Sequence, residues 1–552
     1  MLQYTDTEII KDFFPMDTPR NGQIGVIQKI LKAFKSGKKI VILDLPVGAG
    51  KSVIAKTIAN MFDTACYATS QIILQDQLIA DFGENGKFKK GPPMVHLKGR
   101  SNYPCVYTDL AKDLSTSERI KYSDKNCATG FCKIKGSSMC GECIDDNAPE
   151  EYAIENNKCP YWARVDQFLD SPSGLINFKA YLYQKSFSKY FWLYKPELLI
   201  VDEAHNLEKE LLDFVGITFN DKLLTPILGK KLPKFNTPED YKKWFVESDI
   251  IKNLQAEVAI AKAQERMKTV EEIEELSGKI TKFLAEDDLS NWVVKVDDSF
   301  KSNVRVDLKP IFVRDQAKKL IFNQADHIIM MSATILSPDV MCDSLGLKKD
   351  EIEYISMPST FPVENRKINY IPVGSMSYKA KASTMPKMLE AVYELCEMHE
   401  NEKGIIHTHN FQIAEAIMNN APKELRKRLL FQRNFSSKEE MLEKHAKSTD
   451  TVIVAPAMHE GLDLKEDLSR FQIICKIPYP NFMDDPQLKR RMDLNQNYYN
   501  WLTCLKICQC YGRSIRSETD KAETYILDSD FSRLLSNSRN MLPIWFTEAI
   551  VN

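Results

Sequence analysis

Residues 40–59 constrain this chain more than any other stretch. Ile40-Val-Ile-Leu43 is a short apolar run that reads as a buried parallel strand, and Val53-Ile-Ala-Lys-Thr-Ile-Ala59 has helical spacing. Between them lies Asp44-Leu-Pro-Val-Gly-Ala-Gly-Lys-Ser52. Strand, glycine-rich turn, Gly50-Lys51-Ser52 and helix form the layout of a phosphate-binding loop. Gly48 and Gly50 let backbone N–H groups turn inward around a phosphate with no Cβ in the way. The helix N-terminus adds partial positive charge, Lys51 reaches the β- and γ-phosphates, and Ser52 offers a hydroxyl to Mg²⁺. One departure stands out: Leu45, followed by Pro46, occupies the place where such loops usually begin with a small residue.

A chain of 552 residues exceeds what one core can organise, and its length predicts three to four domains. Hydrophobic residues make up 43% and charged residues 27%, as in ordinary globular proteins. No apolar run has the length of a membrane span, and Met1-Leu-Gln-Tyr-Thr-Asp6 has no signal-peptide character. The expectation is a cytoplasmic protein without membrane contact. A net charge of −2 argues that any nucleic-acid site is a local groove. Thirteen cysteines in a cytosolic chain argue against a disulfide framework, and six of them fall between Cys105 and Cys159. That clustering makes a metal site the first thing to test.

Further along, polar residues gather at the ends of apolar runs. Arg20 and Gln23 precede the nucleotide strand, where an amide either reads an adenine edge or merely caps a surface helix. Ala65-Cys-Tyr-Ala-Thr-Ser70 reads as a second strand, with Gln71 to Phe82 as a helix. Thr69, Ser70 and Gln75 then suit a phosphodiester backbone at a strand's C-terminal end. Lys87 to Lys135 holds eleven Lys or Arg against four Asp or Glu, and Lys98-Gly-Arg-Ser-Asn-Tyr-Pro leads into Cys105. Cations with aromatic rings hold single strands without reading sequence. Cys127, Cys132, Cys140, Cys143 and Cys159-Pro-Tyr-Trp follow in a stretch that needs a staple to fold.

Gly174 to Leu182 reads as a strand, and Leu198-Leu-Ile-Val-Asp202-Glu203-Ala-His205 as a strand ending in two carboxylates. Beside a phosphate loop, Asp202 holds Mg²⁺ and Glu203 orients and deprotonates the attacking water. Asn253 to Leu284 reads as a charged helical insertion broken at Ser277-Gly278. Asp326-His-Ile-Ile-Met-Met-Ser332-Ala-Thr334 returns to a buried strand, and a second α/β unit begins near Ser359. Within it, His407 and His409 have metal-ligand spacing, although alternate residues at a strand end more often face backbone or solvent. Leu505 to Arg516 reads as a helix whose Gln509, Gly512, Arg513 and Arg516 share one face.

Together these stretches resemble the XPD/DinG-type iron–sulfur superfamily 2 DNA helicases. The resemblance rests on Gly50-Lys-Ser52, Asp202-Glu-Ala-His205, Ser332-Ala-Thr334, Glu460-Gly-Leu-Asp463 and Gln509-Cys-Tyr-Gly-Arg-Ser-Ile-Arg516. Its narrow part is Gly99-Arg-Ser-Asn-Tyr-Pro before Cys105, with Cys159-Pro-Tyr-Trp after. It implies an α/β fold of two RecA-like parallel-sheet motor domains, with a cluster insert and a helical Arch-like insert in the first. The implied division is 1–98, 166–206 and 309–358 for the first motor, 99–165 for the cluster domain, 207–308 for the Arch and 359–552 for the second motor. ATP and Mg²⁺ would lie between the motors. Gly461, Asp463, Gln509, Arg513 and Arg516 would come from the second, the arginines stabilising charge at the γ-phosphate.

A [4Fe–4S] cluster takes four thiolates. Cys105 and Cys159 sit in family-like flanks, and Cys132 and Cys140 are expected to complete the set, with Cys127 uninvolved. The resemblance further implies a monomeric motor moving 5′ to 3′ on single-stranded DNA and parting forked or duplex DNA in a bacterial or phage-infected cell. Two other readings compete: an RNA-dependent DEAH-type ATPase, and a zinc-stapled, nucleotide-gated binding module.

Overall fold

The computed structural model describes residues 3–70, 72–105, 126–130, 159–299, 303–456, 464, 466–515 and 517–551. Strands β1 (Ile40–Asp44), β2 (Ala65–Thr69), β3 (Val95–Leu97), β4 (Ser173–Asn177) and β5 (Leu198–Asp202) open the chain. β6 (Ile217–Asn220), β7 (Trp292–Asp297) and β8 (Arg305–Pro310) belong to a separate unit, after which β9 (His327–Ser332) and β10 (Ile352–Ser356) rejoin the first sheet. Its order is β10-β1-β9-β5-β2-β4-β3, parallel throughout. Every residue of β1, β2 and β5 is buried, which their unbroken apolar runs require of strands covered on both faces. Alternate side chains feed two cores: Ile40, Ile42, Leu199 and Val201 on one face, Val41, Leu43, Leu198 and Ile200 on the other.

The second sheet takes β11 (Ile368–Gly374), β12 (Gly404–His407), β13 (Leu429–Phe431), β14 (Val452–Ala455), β15 (Phe471–Ile474), β16 (Glu523–Asp528) and β17 (Ile550–Val551). Its order is β13-β14-β12-β15-β16-β11-β17, again parallel. Two RecA-like parallel-sheet units thus stand where the sequence predicts them. Among the described residues, no helix is long and apolar enough to cross a membrane.

The inserted unit carries helices Asp221–Leu228, Pro238–Glu247, Ile250–Ala263 and Met267–Leu284. It also has an antiparallel sheet, β6-β8-β7, that the sequence reading lacks. Phe219, Tyr241, Trp244, Phe245, Ile273 and Phe283 give it a core of its own. Leu207 and Leu211, on the helix Leu207–Val215, pack instead into the core of the first sheet.

Three local expectations differ from the structure. The helix break falls at 264–266, where Glu265 has φ +57°, and not at Ser277-Gly278. Val270, Ile273, Leu276, Ile280 and Phe283 keep a buried stripe running past Gly278, and that burial outweighs its propensity loss of about 1 kcal/mol. The run from Gly174 to Leu182 turns from strand to helix at Asn177, whose side chain caps the Ala180 N–H. The helix ending at Tyr511 stops before Gly512, so Arg513 lies beyond it and shares no helical face with Gln509.

Candidate active site

The first sheet brings three polar strand ends side by side. Asp44 at the end of β1 lies opposite Ser332 on β9, and Asp202 of β5 lies opposite Met331, so one strand separates the phosphate loop from the acid pair. Gly48 (φ +83°) and Gly50 (φ +75°) hold the left-handed backbone that the loop needs. A Cβ on Gly50 would lie 2.3 Å from the Gln23 amide nitrogen, and one on Gly48 would lie 2.3 Å from the Phe361 ring. Neither position tolerates a side chain without rearrangement.

Gln23 is buried, and both ends of its amide are engaged. Its Nε2 donates to the Ala49 carbonyl at 3.0 Å and its Oε1 accepts from the Arg20 N–H at 2.8 Å. Arg20 donates to the Gly48 carbonyl at 2.7 Å. The pair therefore fastens the loop from behind; Gln23 neither caps a surface helix nor offers a free amide to a base. In a trans peptide the carbonyl held by Gln23 turns the Gly50 N–H the opposite way. Lys51 donates to the Leu45 carbonyl at 3.2 Å.

Tyr67 joins the two candidate magnesium residues. Its hydroxyl donates to Asp202 Oδ2 at 2.8 Å and also hydrogen-bonds Ser52. Burial and the neighbouring Glu203 carboxylate push the Asp202 pKa up to about 7. A buried Asp202 with the half-buried Glu203 and a hydroxyl beside it fits a divalent cation, which would relieve both penalties at once.

Glu203 itself has φ +49°, and the turn after it delivers His205 into the cleft. His205 Nδ1 lies 2.7 Å from Ser332 Oγ, and Ser332 Oγ donates to Glu203 Oε2 at 3.3 Å. Across the cleft, Gln509 Nε2 lies 2.8 Å from His205 Nε2. With the amide so oriented, Nε2 accepts and Nδ1 carries the proton. His205 and Ser332 belong to motifs quoted from the sequence, which did not pair them with each other. Their signal was the polar ends of two apolar runs, but only the strand order makes them neighbours.

The cleft between the sheets has a volume of about 350 Å³ and is lined by Pro46, Glu203, His205, Gln509 and Arg513. Gly512 approaches the phosphate loop closely, a Cβ there lying 3.8 Å from Val47. Gly461, Asp463 and Arg516 lie outside the described residues. Thr69 and Gln75 are buried, and the Gln75 amide is held by the carbonyls of Leu97 and Leu175 at 3.0 and 3.2 Å. That makes Gln75 a staple inside the first α/β unit rather than a free contact for a phosphodiester. His407 is buried at the end of β12, with the His409 ring 6.0 Å away.

Cys105, Cys127 and Cys159 are buried in one apolar cluster. Cys127 hydrogen-bonds Cys159 and lies near Cys105; that bond, then burial and the neighbouring sulfurs, raise its pKa. A Cβ on Gly130 would lie 2.7 Å from Cys105 Sγ, so residues 126–130 wrap that thiol closely. Arg100 lies 5.0 Å from the Tyr161 ring and 5.1 Å from Trp162, joining the flanks of Cys105 and Cys159. Among the described residues no three His, Cys, Asp or Glu surround a common metal position. Three of the six thiols between Cys105 and Cys159 thus share one apolar cluster, and Cys132, Cys140 and Cys143 lie outside the described residues.

Residues 17–224 match the family described as the res subunit of type III restriction enzymes, and residues 392–549 match a helicase C-terminal domain. A solved structure described as an XPD helicase is 16% identical, with a TM-score of 0.63 over 95% of this chain and 99% of that one. The S. tokodaii Xpd4 structure is 13% identical, with a TM-score of 0.57 over 96% of this chain and 99% of that one. Among curated proteins, the ATP-dependent DNA helicase CHL1 of Candida albicans (strain SC5314 / ATCC MYA-2876) is 29% identical over 115 residues. That stretch is 18% of this chain and 13% of the length of CHL1.

Proposed function

We propose that this chain, an XPD/DinG-like superfamily 2 helicase in fold and in its matched segments, is an ATP-driven motor on single-stranded DNA that parts forked or duplex DNA. One observation carries the reading. Pro46 and Val47 of the phosphate loop, Glu203 with His205, and the Gln509–Arg513 segment belong to two different α/β units and line one cleft. A nucleotide seated there touches both halves, so binding and release move one half against the other.

In this reading the amides of the loop and Lys51 hold the β- and γ-phosphates, and Ser52 and Asp202 hold Mg²⁺ through oxygen contacts. Glu203 takes a proton from the attacking water while Arg513, with Arg516, stabilises charge on the γ-phosphate. Gly461 and Asp463 are assigned to the same cleft from the second motor. Hydrolysis removes the phosphate that both halves grip, so the cleft reopens and the motor steps. The 5′-to-3′ polarity rests on the resemblance to XPD-type helicases.

Cys105, Cys127 and Cys159 with one of Cys132, Cys140 or Cys143 would hold a [4Fe–4S] cluster. When bound it would serve as a structural staple for a segment with little apolar core of its own. Protein purified without oxygen should contain about four irons per chain, and Cys127→Ser should lose them together with unwinding. Zinc without iron would remove the cluster from the proposal.

The motor reading is tested by ATP turnover with and without single-stranded DNA. Wild-type turnover should rise several-fold on adding DNA, and Glu203→Gln should bind nucleotide and DNA while hydrolysing at under about a hundredth of the wild-type rate. Turnover indifferent to DNA, or stimulated by RNA alone, would sink this reading.

A further inference from the structure

Away from the ATP cleft, a second and much drier contact joins the two motors. Arg491 on the helix Pro486–Leu494 is 1% exposed, and its Nη1 lies 2.7 Å from Glu208 Oε1. Glu208 sits on the helix Leu207–Val215, one turn beyond His205. Arg491 Nη2 donates to Ser344 Oγ at 2.6 Å, and Nη1 also reaches the Ile311 carbonyl at 3.3 Å. The guanidinium lies between two rings, 3.9 Å from the centroid of Tyr498 and 4.3 Å from that of Phe312. Tyr498 in turn hydrogen-bonds Glu208. A buried charge pair with its donors taken up and aromatic faces on both sides is costly to separate, because either ion alone would be left desolvated.

The neighbouring helix also meets the first motor, through Trp501 Nε1, which donates to the Ile335 carbonyl at 2.9 Å near the Arg491 end, and at the ATP cleft through a contact of a different kind. The turn that leads into Glu208 carries His205, and the helix Gln496–Tyr511 that carries Tyr498 ends near Gln509. His205 and Gln509 share one hydrogen bond in a cleft open to ligand. From Tyr498 to Gln509 the helix spans about 16 Å. A turn of about 10° around the Arg491 end therefore carries Gln509 through about 3 Å, enough to break or remake its bond to His205.

We propose that the Arg491–Glu208 pair is the pivot about which the two motors rotate, with Arg491 as a positioning residue that passes the rotation to the inserted unit. The second half follows from what else Arg491 grips. Ile311 and Phe312 are the chain leaving β8, and Gln487 from the same helix donates to the Ile311 carbonyl at 3.1 Å. The helix Pro486–Leu494 also packs on β7. A rotation at the cleft thus reaches the base of the inserted unit through the helix that carries Arg491 and Gln487. This deepens the motor reading and rests on it for the link to DNA.

Hydrogen exchange tests the pivot on the unaltered protein with a non-hydrolysable ATP analogue as the only addition. Amides at Gly512 and Arg513 should slow tenfold or more, while those of 207–211 and 488–498 change less than twofold. Equal changes in both regions would overturn the pivot. The transmission is tested with Arg491→Met combined with Glu208→Gln, which removes both charges at similar volume and leaves Tyr498 a partner. Its DNA-free ATP turnover and KM should stay within twofold of wild type, while unwinding drops at least tenfold. Arg491→Lys, which keeps the charge and loses the fork, should recover part of that loss. A folded double variant that unwinds as wild type does would show the pair to be structural only. Wild-type protein indifferent to DNA would remove the DNA reading, and the exchange result would then decide the pivot alone.

Discussion

The turn after β1 and the turn after β12 each lead from a buried parallel strand into a helix, yet the two helix starts are built differently. The helix Lys51–Ala59 starts from Gly50 in a left-handed conformation, and no side chain caps it. Its first amides are left for an outside acceptor, and Lys51 stands beside them. The helix Phe411–Asn420 starts from Asn410, whose side chain already accepts from the N–H groups of Gln412 and Ile413 at 2.8 and 3.2 Å. One short polar side chain makes that second terminus self-sufficient. One terminus is left unsatisfied and the other is not, and the second sheet contributes Gln509 and Arg513 to the cleft from the far end of its fold.

Lys51→Ala attacks the open turn directly and should abolish ATP hydrolysis, since the β- and γ-phosphates lose their cation. Turnover that survived would place the chemistry somewhere other than the first turn. Arg513→Ala attacks the contribution of the second sheet. Its kcat should fall by about 10³-fold with a smaller change in KM, as expected of a group acting on transition-state charge. A loss confined to DNA affinity would give Arg513 a different ligand. Asn410→Ala opens the capped turn and should cost about 1 kcal/mol of stability with ATP turnover unchanged. A thermal melt and a steady-state assay on the same sample check both parts.

These contrasts also show which features the sequence could reveal. The phosphate loop and the acid pair were legible because each is a single stretch: an apolar run, a turn and named side chains within a dozen residues. Gln23 was visible as a candidate, but its two bonds to the loop depend on a tertiary approach that no local pattern encodes. The chain Gln509, His205, Ser332, Glu203 needs β9 to lie beside β5 and the second motor to face both. The errors at Gly278 and Gly512 share one cause. At both the tertiary setting decides: a break is read at Gly278, where a buried stripe carries the helix on, and a helix is read through Gly512, where one ends.

The position of β1 sets a timetable for making this protein. Its two partners in the sheet are β9 and β10, so the strand that carries the phosphate loop is hydrogen-bonded only to segments translated far later. At about 5–20 residues per second, roughly 300 intervening residues leave it unpaired for about 15–60 s on the ribosome. During that interval Ile40-Val-Ile-Leu43 is an apolar strand with two open edges, the kind of segment that joins other chains. The inserted unit has its own core and can fold in the meantime, but it cannot cover β1. The nascent motor is therefore most exposed to aggregation until β10 emerges, and a holding chaperone should change yield most for chains stalled before that strand.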